Sequence, residues 1–310
     1  MDDEIKNAYW IIPIHIDSDI KKEVEIEEGF NLLPLSDEFR NKLMHKVKFF
    51  SHPNFSDLLY SNFYFKVLNS KIEIWEIDGF LTLLNITLRL FKFGSSGCIC
   101  AYRASTRSGQ QDSLTSKING HLGPTKLNVN DIMEFKNFFQ QLSIKMYNLG
   151  DYKFKSKYVI KDDHLKLMIS KYLLATSGLQ IPTENRFIDL MTIIEMLYLT
   201  QEDEYQLKKK LKSRINKILK IQEEIINDLY EIRSFIVHTG QAKIEKEKVL
   251  TNQEFLKFFE NLVEITRKSL LLYLIDSKQF EQENLLSLIC ECPDKEVKTD
   301  QIAASLRSSQ

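Results

Sequence analysis

The chain has 310 residues, of which 43% are hydrophobic and 27% are charged, and its formal net charge is -1 at pH 7. This length fits two ordinary domains with real cores, and the composition excludes collagen-like and membrane-embedded proteins. The near-zero net charge excludes binding to nucleic acid through overall charge, so affinity for phosphate groups must come from a local patch.

The amino terminus, the apolar runs and the cysteines predict a cytoplasmic protein without metal or cofactor. The first residues, MDDEIKNAYW, are acidic where a signal peptide is basic. The longest apolar stretches, about a dozen residues, are too short to span a bilayer. Four cysteines are too few for a disulfide scaffold. They form two C-x-C pairs in different predicted domains, Cys98 with Cys100 and Cys290 with Cys292, which disfavours a zinc site with four ligands.

Residues 1–125 are predicted to be rich in β-strands because short apolar segments alternate with polar residues or contain many β-branched residues. The predicted strands are residues 8–16, 62–67, 71–77 and 97–103. Residues 80–93 fit one long strand, two strands or a helix, and their recurring β-branched residues favour strand. Residues 104–123 are polar and are predicted to form an exposed loop.

Helical periodicity dominates from residue 130 onward. The predicted helices are residues 130–149, 163–176, 183–199, 204–220, 223–238 and 252–275. Asn130 is the expected N-cap of the first, and Gly240 follows the fifth as a favoured helix-ending residue. We therefore predict an α+β chain: a β-rich domain at residues 1–155, an all-α helical bundle at residues 156–292, and a flexible tail at residues 293–310.

The segment LYEIRSFIVHTGQ contains the two residues best suited to catalysis, Arg233 and His238. Arginine presents a rigid fork of donors that matches phosphate oxygens, and histidine moves a proton near neutral pH. Together they can hold a phosphodiester and assist attack by the 2′-hydroxyl group without a metal ion. On a regular helix the two side chains lie about 140° apart. The two side chains converge only if the helix ends near His238, or if both face one groove between helices or subunits.

This segment resembles the R-x4–6-H motif of HEPN domains, and more closely the Apea-like type with its signature Y-x-x-R-S-x-x-x-H-x-G. The matching residues are Tyr230, Arg233, Ser234, His238 and Gly240. The preceding segments, NRFIDLMTIIEMLYL and LKKKLKSRINKIL, are similar to the family's preceding helices. The resemblance covers about residues 160–275.

The resemblance implies a helical bundle that dimerises and places two such motifs at the subunit interface. Many members are metal-independent endoribonucleases, and some have lost activity and only bind. In the family's pattern Glu195 is the acidic residue embedded in a helix, and Arg214 stands at an arginine position. The expected catalytic residues are therefore Arg233 and His238, with Ser234 and Glu195 orienting them.

Each of these residues also has a structural interpretation. Arg233 and His238 are cations near a helix end, where they complement the helix dipole. Ser234 can donate a hydrogen bond either to a phosphate group or to an earlier backbone carbonyl. Glu195 can be either a partner in the site or a residue at the edge of a helix face. Tyr230 fits a base-stacking residue, although a core or dimer contact is favoured.

Basic residues concentrate in the helix predicted at residues 204–220. They are Lys208, Lys209, Lys210, Lys212, Arg214, Lys217 and Lys220. Such a run is usually a solvated face, but beside a nuclease motif it also fits a track for the RNA backbone. Arg214, Lys210, Lys217 and Tyr230 are the predicted RNA-binding residues.

The sequence thus favours a metal-independent endoribonuclease of HEPN type that acts in antiviral (phage) defence or as a regulated toxin. The expected partners are an RNA substrate, a second copy of the chain, and a trigger ligand or protein on the β-rich domain. The alternative is a catalytically silent HEPN module that serves as a dimerisation or RNA-binding adaptor.

Overall fold

The computed structural model shows an amino-terminal antiparallel sheet followed by a helical region, which confirms the predicted order of β-rich and α-helical parts. The structure describes residues 9–48, 61–68, 76–92, 100–104, 114–115, 125–147, 160, 162–176, 183–244 and 248–288. The predicted domain boundary at residues 155/156 and the predicted tail lie outside these ranges. Within these ranges, none of the helices combines the length and apolar character needed to cross a bilayer.

The sheet has the strand order β2-β3-β4-β1-β5-β6. Its strands are β1 (Tyr9–Ile14), β2 (Val24–Glu27), β3 (Phe30–Pro34), β4 (Phe63–Leu68), β5 (Cys100–Ala104) and β6 (Leu114–Thr115). Strand β1 is central, pairing with β4 from Tyr9↔Leu68 to Ile14↔Phe63 and with β5 on its other side. The strands predicted at 8–16, 62–67 and 97–103 are therefore confirmed. The strand predicted at 71–77 lies mostly outside the described residues.

Helix α1 (Asp37–Lys48) follows β3, and the prediction of strand for residues 80–93 is wrong because this segment forms helix α2 (Ile77–Phe91). Apolar residues recur there at helical spacing, at Ile77, Phe80, Leu81, Leu84 and Leu88. Eleven of the fifteen residues of α2 are buried, so the helix lacks the polar face that reveals helical periodicity in a sequence.

A cluster of aromatic rings fixes α2 against the sheet. Helix α3 (Ile132–Tyr147) follows a short 3-10 turn at Val129–Asp131. The ring of Phe30 in β3 lies 5.2 Å from that of Phe65 in β4, 5.5 Å from that of Phe80 in α2 and 5.4 Å from that of Phe139 in α3. These contacts bury one face of the sheet under α2 and α3. Asn128 rather than the predicted Asn130 caps this region, since its side chain and that of Asp131 form a capping box.

The helices predicted in the carboxyl-terminal half are confirmed. They are α4 (Asp163–Ala175), α5 (Glu184–Tyr198), α6 (Leu207–Leu219), α7 (Glu223–Thr239) and α8 (Asn252–Ile275), and they are followed by a short helix that was not predicted, α9 (Gln282–Ser287). A small hairpin, β7 (Lys243–Ile244) with β8 (Lys248–Val249), separates α7 from α8. Helix α5 packs between α4 and α8 and also contacts α7.

Two arginines join α2 to the carboxyl-terminal helices. The fully buried Arg89 of α2 donates to the carbonyl of Leu173 at 2.8 Å and to the hydroxyl of Thr176 at 2.6 Å, at the carboxyl end of α4. In return, Arg267 of α8 donates to the carbonyl of Leu90 at 2.7 Å, at the carboxyl end of α2. Each arginine thus satisfies carbonyl groups that a helix end leaves unpaired.

Gly29→Ala and Gly240→Ala should both destabilise the protein, and Gly29→Ala should cost more. Both glycines have positive φ, 75° and 70°, which costs other residues about 1–2 kcal/mol. A Cβ at Gly29 would also lie 2.8 Å from Cδ1 of Leu68, whereas at Gly240 it would meet nothing within 4 Å. Urea unfolding of both variants measures the loss in the free energy of unfolding. Equal losses would contradict the expected clash between the new Cβ and Leu68.

Candidate active site

Helix α7 presents the motif residues on its solvent side because its apolar stripe faces the core. Ile226, Leu229, Ile232 and Ile236 are buried along this stripe. Arg233 and Ser234 are half-buried, and His238 is exposed in the last turn. Gly240 ends the helix as predicted, in the left-handed conformation, and its N–H donates to the carbonyl of Ile236 at 2.8 Å.

Arg233 is held by two neighbours. Its Nη2 donates to Oε2 of Glu195 in α5 at 3.2 Å, and its guanidinium carbon lies 6.0 Å from the centre of the Tyr230 ring one turn earlier. The Arg233 side chain remains 30% exposed. Of its five N–H donors, one on Nη2 has a hydrogen-bond partner within the described part of the chain, and the other four have none there.

Glu195 lies at the edge of the core and not in open solvent. Its side chain is 22% exposed and follows the buried Ile194 in α5. Burial raises the pKa of the Glu195 carboxyl, against the opposite effect of Arg233. The predicted partnership between Glu195 and Arg233 is therefore present, as a half-buried ion pair.

Arg233 and His238 do not meet within one chain. Helix α7 stays regular through Thr239, so the two side chains keep the angular separation of about 140° expected on a helix. Among the described residues, the His238 side chain has no hydrogen bond or ion pair. Ser234, four positions before His238, lies on the same face of α7. The helix does end beside His238 as anticipated, but this ending does not bring the imidazole to the guanidinium.

Tyr230 contacts both Arg233 and the core. It is half-buried, packs against the core, and lies beneath Arg233. This agrees with the core contact that the sequence favoured for Tyr230 over base stacking.

The interpretation of Arg214 as an RNA contact is corrected by its burial. The Arg214 side chain is 0% exposed and forms an ion pair with Asp203 through Nη1. It also donates to the carbonyl of Tyr198 at 2.7 Å and to that of Leu285 at 2.9 Å. The guanidinium therefore links the loop after α5 to helix α9, and its burial keeps it out of reach of a nucleic acid.

Most lysines of α6 are likewise engaged within the protein. Lys210 pairs with Asp203 at 2.8 Å, and Nζ of Lys217 donates to the carbonyl of Leu288 at 2.6 Å. Lys208 pairs with Glu231 at 3.0 Å and Lys212 with Glu223 at 3.4 Å. Most cations of this run, including the predicted RNA contacts Lys210 and Lys217, therefore have internal partners, although their carboxylate partners are only Asp203, Glu231 and Glu223 and the run keeps a net positive charge.

Asp203 is the partner of Arg214 that was not predicted from the sequence. Besides Arg214 and Lys210, it accepts hydrogen bonds from the Thr200 N–H at 2.7 Å and from the Thr200 hydroxyl at 3.0 Å. A signal was present, since an acidic residue in the T-x-x-D segment before a basic helix is placed to bind its own backbone and the cations that follow.

No grouping of histidine, cysteine, aspartate or glutamate side chains suited to a metal ion occurs in the part of the chain that the structure describes. Cys98, Cys290 and Cys292 lie outside that part.

Comparison with known proteins leaves the resemblance to HEPN domains as a prediction from the motif. No model of a protein family, no curated protein and no solved structure matches this chain.

Asp203→Asn should destabilise the protein by about 3–5 kcal/mol, because it leaves the buried Arg214 without its counter-charge. The matched control is Asp189→Asn, which removes a half-exposed ion pair with Lys171 and should cost no more than about 1 kcal/mol. Urea unfolding of the two variants measures both values. Similar costs for the two would show that Arg214 does not depend on Asp203.

The stability that Asp203 contributes should depend on pH. Burial alone would raise the pKa of its carboxyl, but hydrogen bonds with Arg214 and Lys210 hold that pKa well below its ordinary value. The contribution is therefore complete above the unfolded pKa of about 3.9 and is lost as the pH falls below it. Acid unfolding followed by circular dichroism should show this loss in the wild type but not in Asp203→Asn.

Proposed function

We propose that this protein is a cytoplasmic, metal-independent endoribonuclease of HEPN type, with Arg233 and His238 as its catalytic residues. The observation that carries the proposal is the state of Arg233. It is held by Glu195 and Tyr230, while most of its donors have no partner among the described residues, and it precedes an exposed histidine by about one and a half turns. An arginine fixed in this way binds a phosphate group with little loss of side-chain freedom.

The reaction follows from the chemistry of these groups. The imidazole of His238 takes the proton from a ribose 2′-hydroxyl, and the resulting oxygen attacks the adjacent phosphorus. The bond from phosphorus to the 5′-oxygen breaks, and that oxygen receives the proton that His238 took up, which returns the imidazole to its neutral form. The products are a 2′,3′-cyclic phosphate and a 5′-hydroxyl end. Arg233 stabilises the negative charge that develops on the phosphate, and Ser234 donates a hydrogen bond to it.

The separation of Arg233 and His238 supports a homodimer. Two copies of α7 meeting across a two-fold axis place the His238 of one copy near the Arg233 of the other. Val237, beside His238, is 53% exposed and offers an apolar contact for such a seam.

The biological setting that we propose is antiviral defence or a regulated toxin, with the amino-terminal sheet binding the trigger. The fold supports this through the direct link between α2 and the carboxyl-terminal helices, because a ligand on the sheet has a packed route towards α5 and α7. Growth of a host expressing the wild type or Arg233→Ala, with and without phage challenge, tests this setting.

The second candidate function is a silent RNA-binding or dimerisation adaptor. The absence of contact between Arg233 and His238 within one chain favours it, since a monomer would hold a phosphate on Arg233 without a nearby proton acceptor.

Purified wild-type protein should cut a structured RNA in the presence of EDTA, and His238→Ala should lose at least about 100-fold in rate. His164→Ala is the matched control, because His164 is also exposed on a helix, and it should cut normally. The products should carry cyclic phosphate ends. Equal RNA binding without cleavage by wild type and His238→Ala would support the adaptor, and cleavage that persists in His238→Ala would contradict the assignment of the histidine.

Arg233→Ala and His238→Ala, each inactive alone, should recover about a quarter of the wild-type activity when unfolded together and refolded as a mixture. Half of the dimers are then mixed, and each mixed dimer has one intact site if Arg233 and His238 come from different subunits. Size-exclusion chromatography with light scattering confirms that dimers form. No recovery from a dimeric mixture would show that each site uses one chain.

A further inference from the structure

Two ion pairs fix the direction in which helix α6 runs along helix α7. Nζ of Lys208 lies 3.0 Å from Oε1 of Glu231, and Nζ of Lys212 lies 3.4 Å from Oε2 of Glu223. The partner on α7 moves back along the chain as the lysine on α6 moves forward, so the two packed helices are antiparallel. The residues that precede Lys208 therefore lie towards the carboxyl end of α7, where His238 is located.

The ion pair of Lys208 with Glu231 lies on the same side of α7 as the proposed acid–base residue. Glu231, Ser234 and His238 follow one another at intervals of three and four positions, which is the spacing of neighbours on one helix face. Glu231 also accepts a hydrogen bond from Nδ2 of Asn227 at 3.2 Å. The amino-terminal end of α6 is therefore attached beside the face of α7 that carries Ser234 and His238.

Tyr205 belongs to the turn that leads into α6 at this place. It is 76% exposed, more than any other large hydrophobic residue in the part of the chain that the structure describes. It precedes Lys208 by three residues, so the two Cα atoms lie within about 11 Å of each other. An exposed ring near a cation is the arrangement that binds single-stranded nucleic acid, because a base stacks on the ring and a phosphate contacts the cation.

The turn that carries Tyr205 is held by its own contacts. The carboxyl of Asp203 accepts hydrogen bonds from the N–H and the hydroxyl of Thr200, and it pairs with Lys210 at 2.8 Å. Gln206 adopts the left-handed conformation with φ 54°, which costs energy for a residue with a Cβ and persists where the surroundings fix it. A ring mounted on such a turn binds a base with little loss of conformational freedom.

We propose that Tyr205 stacks on a base of the bound RNA close to the scissile phosphate. The inference rests on the proposed function, because it requires RNA beside His238, and it adds the substrate class. That class is RNA with unpaired bases, in a single strand or a loop, because only such bases offer a face to an aromatic ring. Tyr205 is a substrate-binding residue here and takes no part in proton transfer.

The test measures RNA binding by the full chain in a His238→Ala background, where the RNA stays intact. Fluorescence anisotropy of a labelled single-stranded RNA gives Kd. Tyr205→Ala should raise Kd at least about 5-fold, the lower end of what one stacked base contributes. Tyr205→Phe keeps the ring and should restore the affinity. Met133→Ala on α3, a control at a position that is 68% exposed, should match the parent.

Two further measurements separate a stacked base from other roles of the ring. In a series of RNAs with one abasic nucleotide each, the parent should bind one position markedly more weakly, and Tyr205→Ala should not respond to that position. The slope of log Kd against log salt should be the same in Tyr205→Ala as in the parent, because stacking neutralises no phosphate. Light scattering and thermal unfolding follow the mass and the stability of each variant.

The outcomes separate this inference from the proposed function. If the wild type cleaves RNA while Tyr205→Ala keeps the parent Kd, the stacking contact is overturned and the nuclease function stands. A dimer that dissociates in Tyr205→Ala would identify the ring as a subunit contact and would also overturn stacking. If binding depends on Tyr205 but the wild type does not cleave, stacking stands and the nuclease function falls. If the wild type neither binds nor cleaves RNA, both proposals fall.

Discussion

Burial of one apolar stripe of α7 determines everything that the candidate site presents to solvent. Ile226, Leu229, Ile232 and Ile236 must face the core, and this fixes the rotation of the helix about its axis. Arg233 then reaches the edge where α5 supplies Glu195, while His238 projects from the last turn on another side. The proposed chemistry therefore depends on packing that involves neither residue, and a second copy of the chain is the simplest source of the missing neighbour.

Most helices with a solvent-exposed face were predicted from the sequence, whereas the buried α2 and the partly exposed α1 were not. Helices α4 to α8 carry polar faces, so their periodicity and most of their ends were predictable. Helix α2 is buried nearly all round, and β-branched residues within it imitate a strand. Strand β2 was missed because it is short: Val24 and Ile26 alternate with glutamates over only four residues.

The site was predictable in its residue types but only partly in its surroundings. Glu195 was expected either to assist the catalytic residues or to lie at the edge of a helix face, and the structure pairs it with Arg233. The burial of Arg214 was not predicted, because a sequence shows the charge of a side chain but not which carboxylate pairs with it in the fold. Asp203 and Arg214 lie eleven positions apart, and only the turn between α5 and α6 brings them together. Local density of lysine and arginine is therefore a poor guide to which cations of this protein stay available to a ligand.

The reciprocal arginine hydrogen bonds between α2 and the carboxyl-terminal helices have a consequence for producing truncated forms of the protein. Arg89 closes the end of α4, and Arg267 closes the end of α2. A truncated chain that starts after residue 156 would lack α2 and would leave bare the apolar sides of α4 and α8 that now cover it. Such a fragment would gather into insoluble aggregates, so the helical half has to be produced together with the strands that precede it.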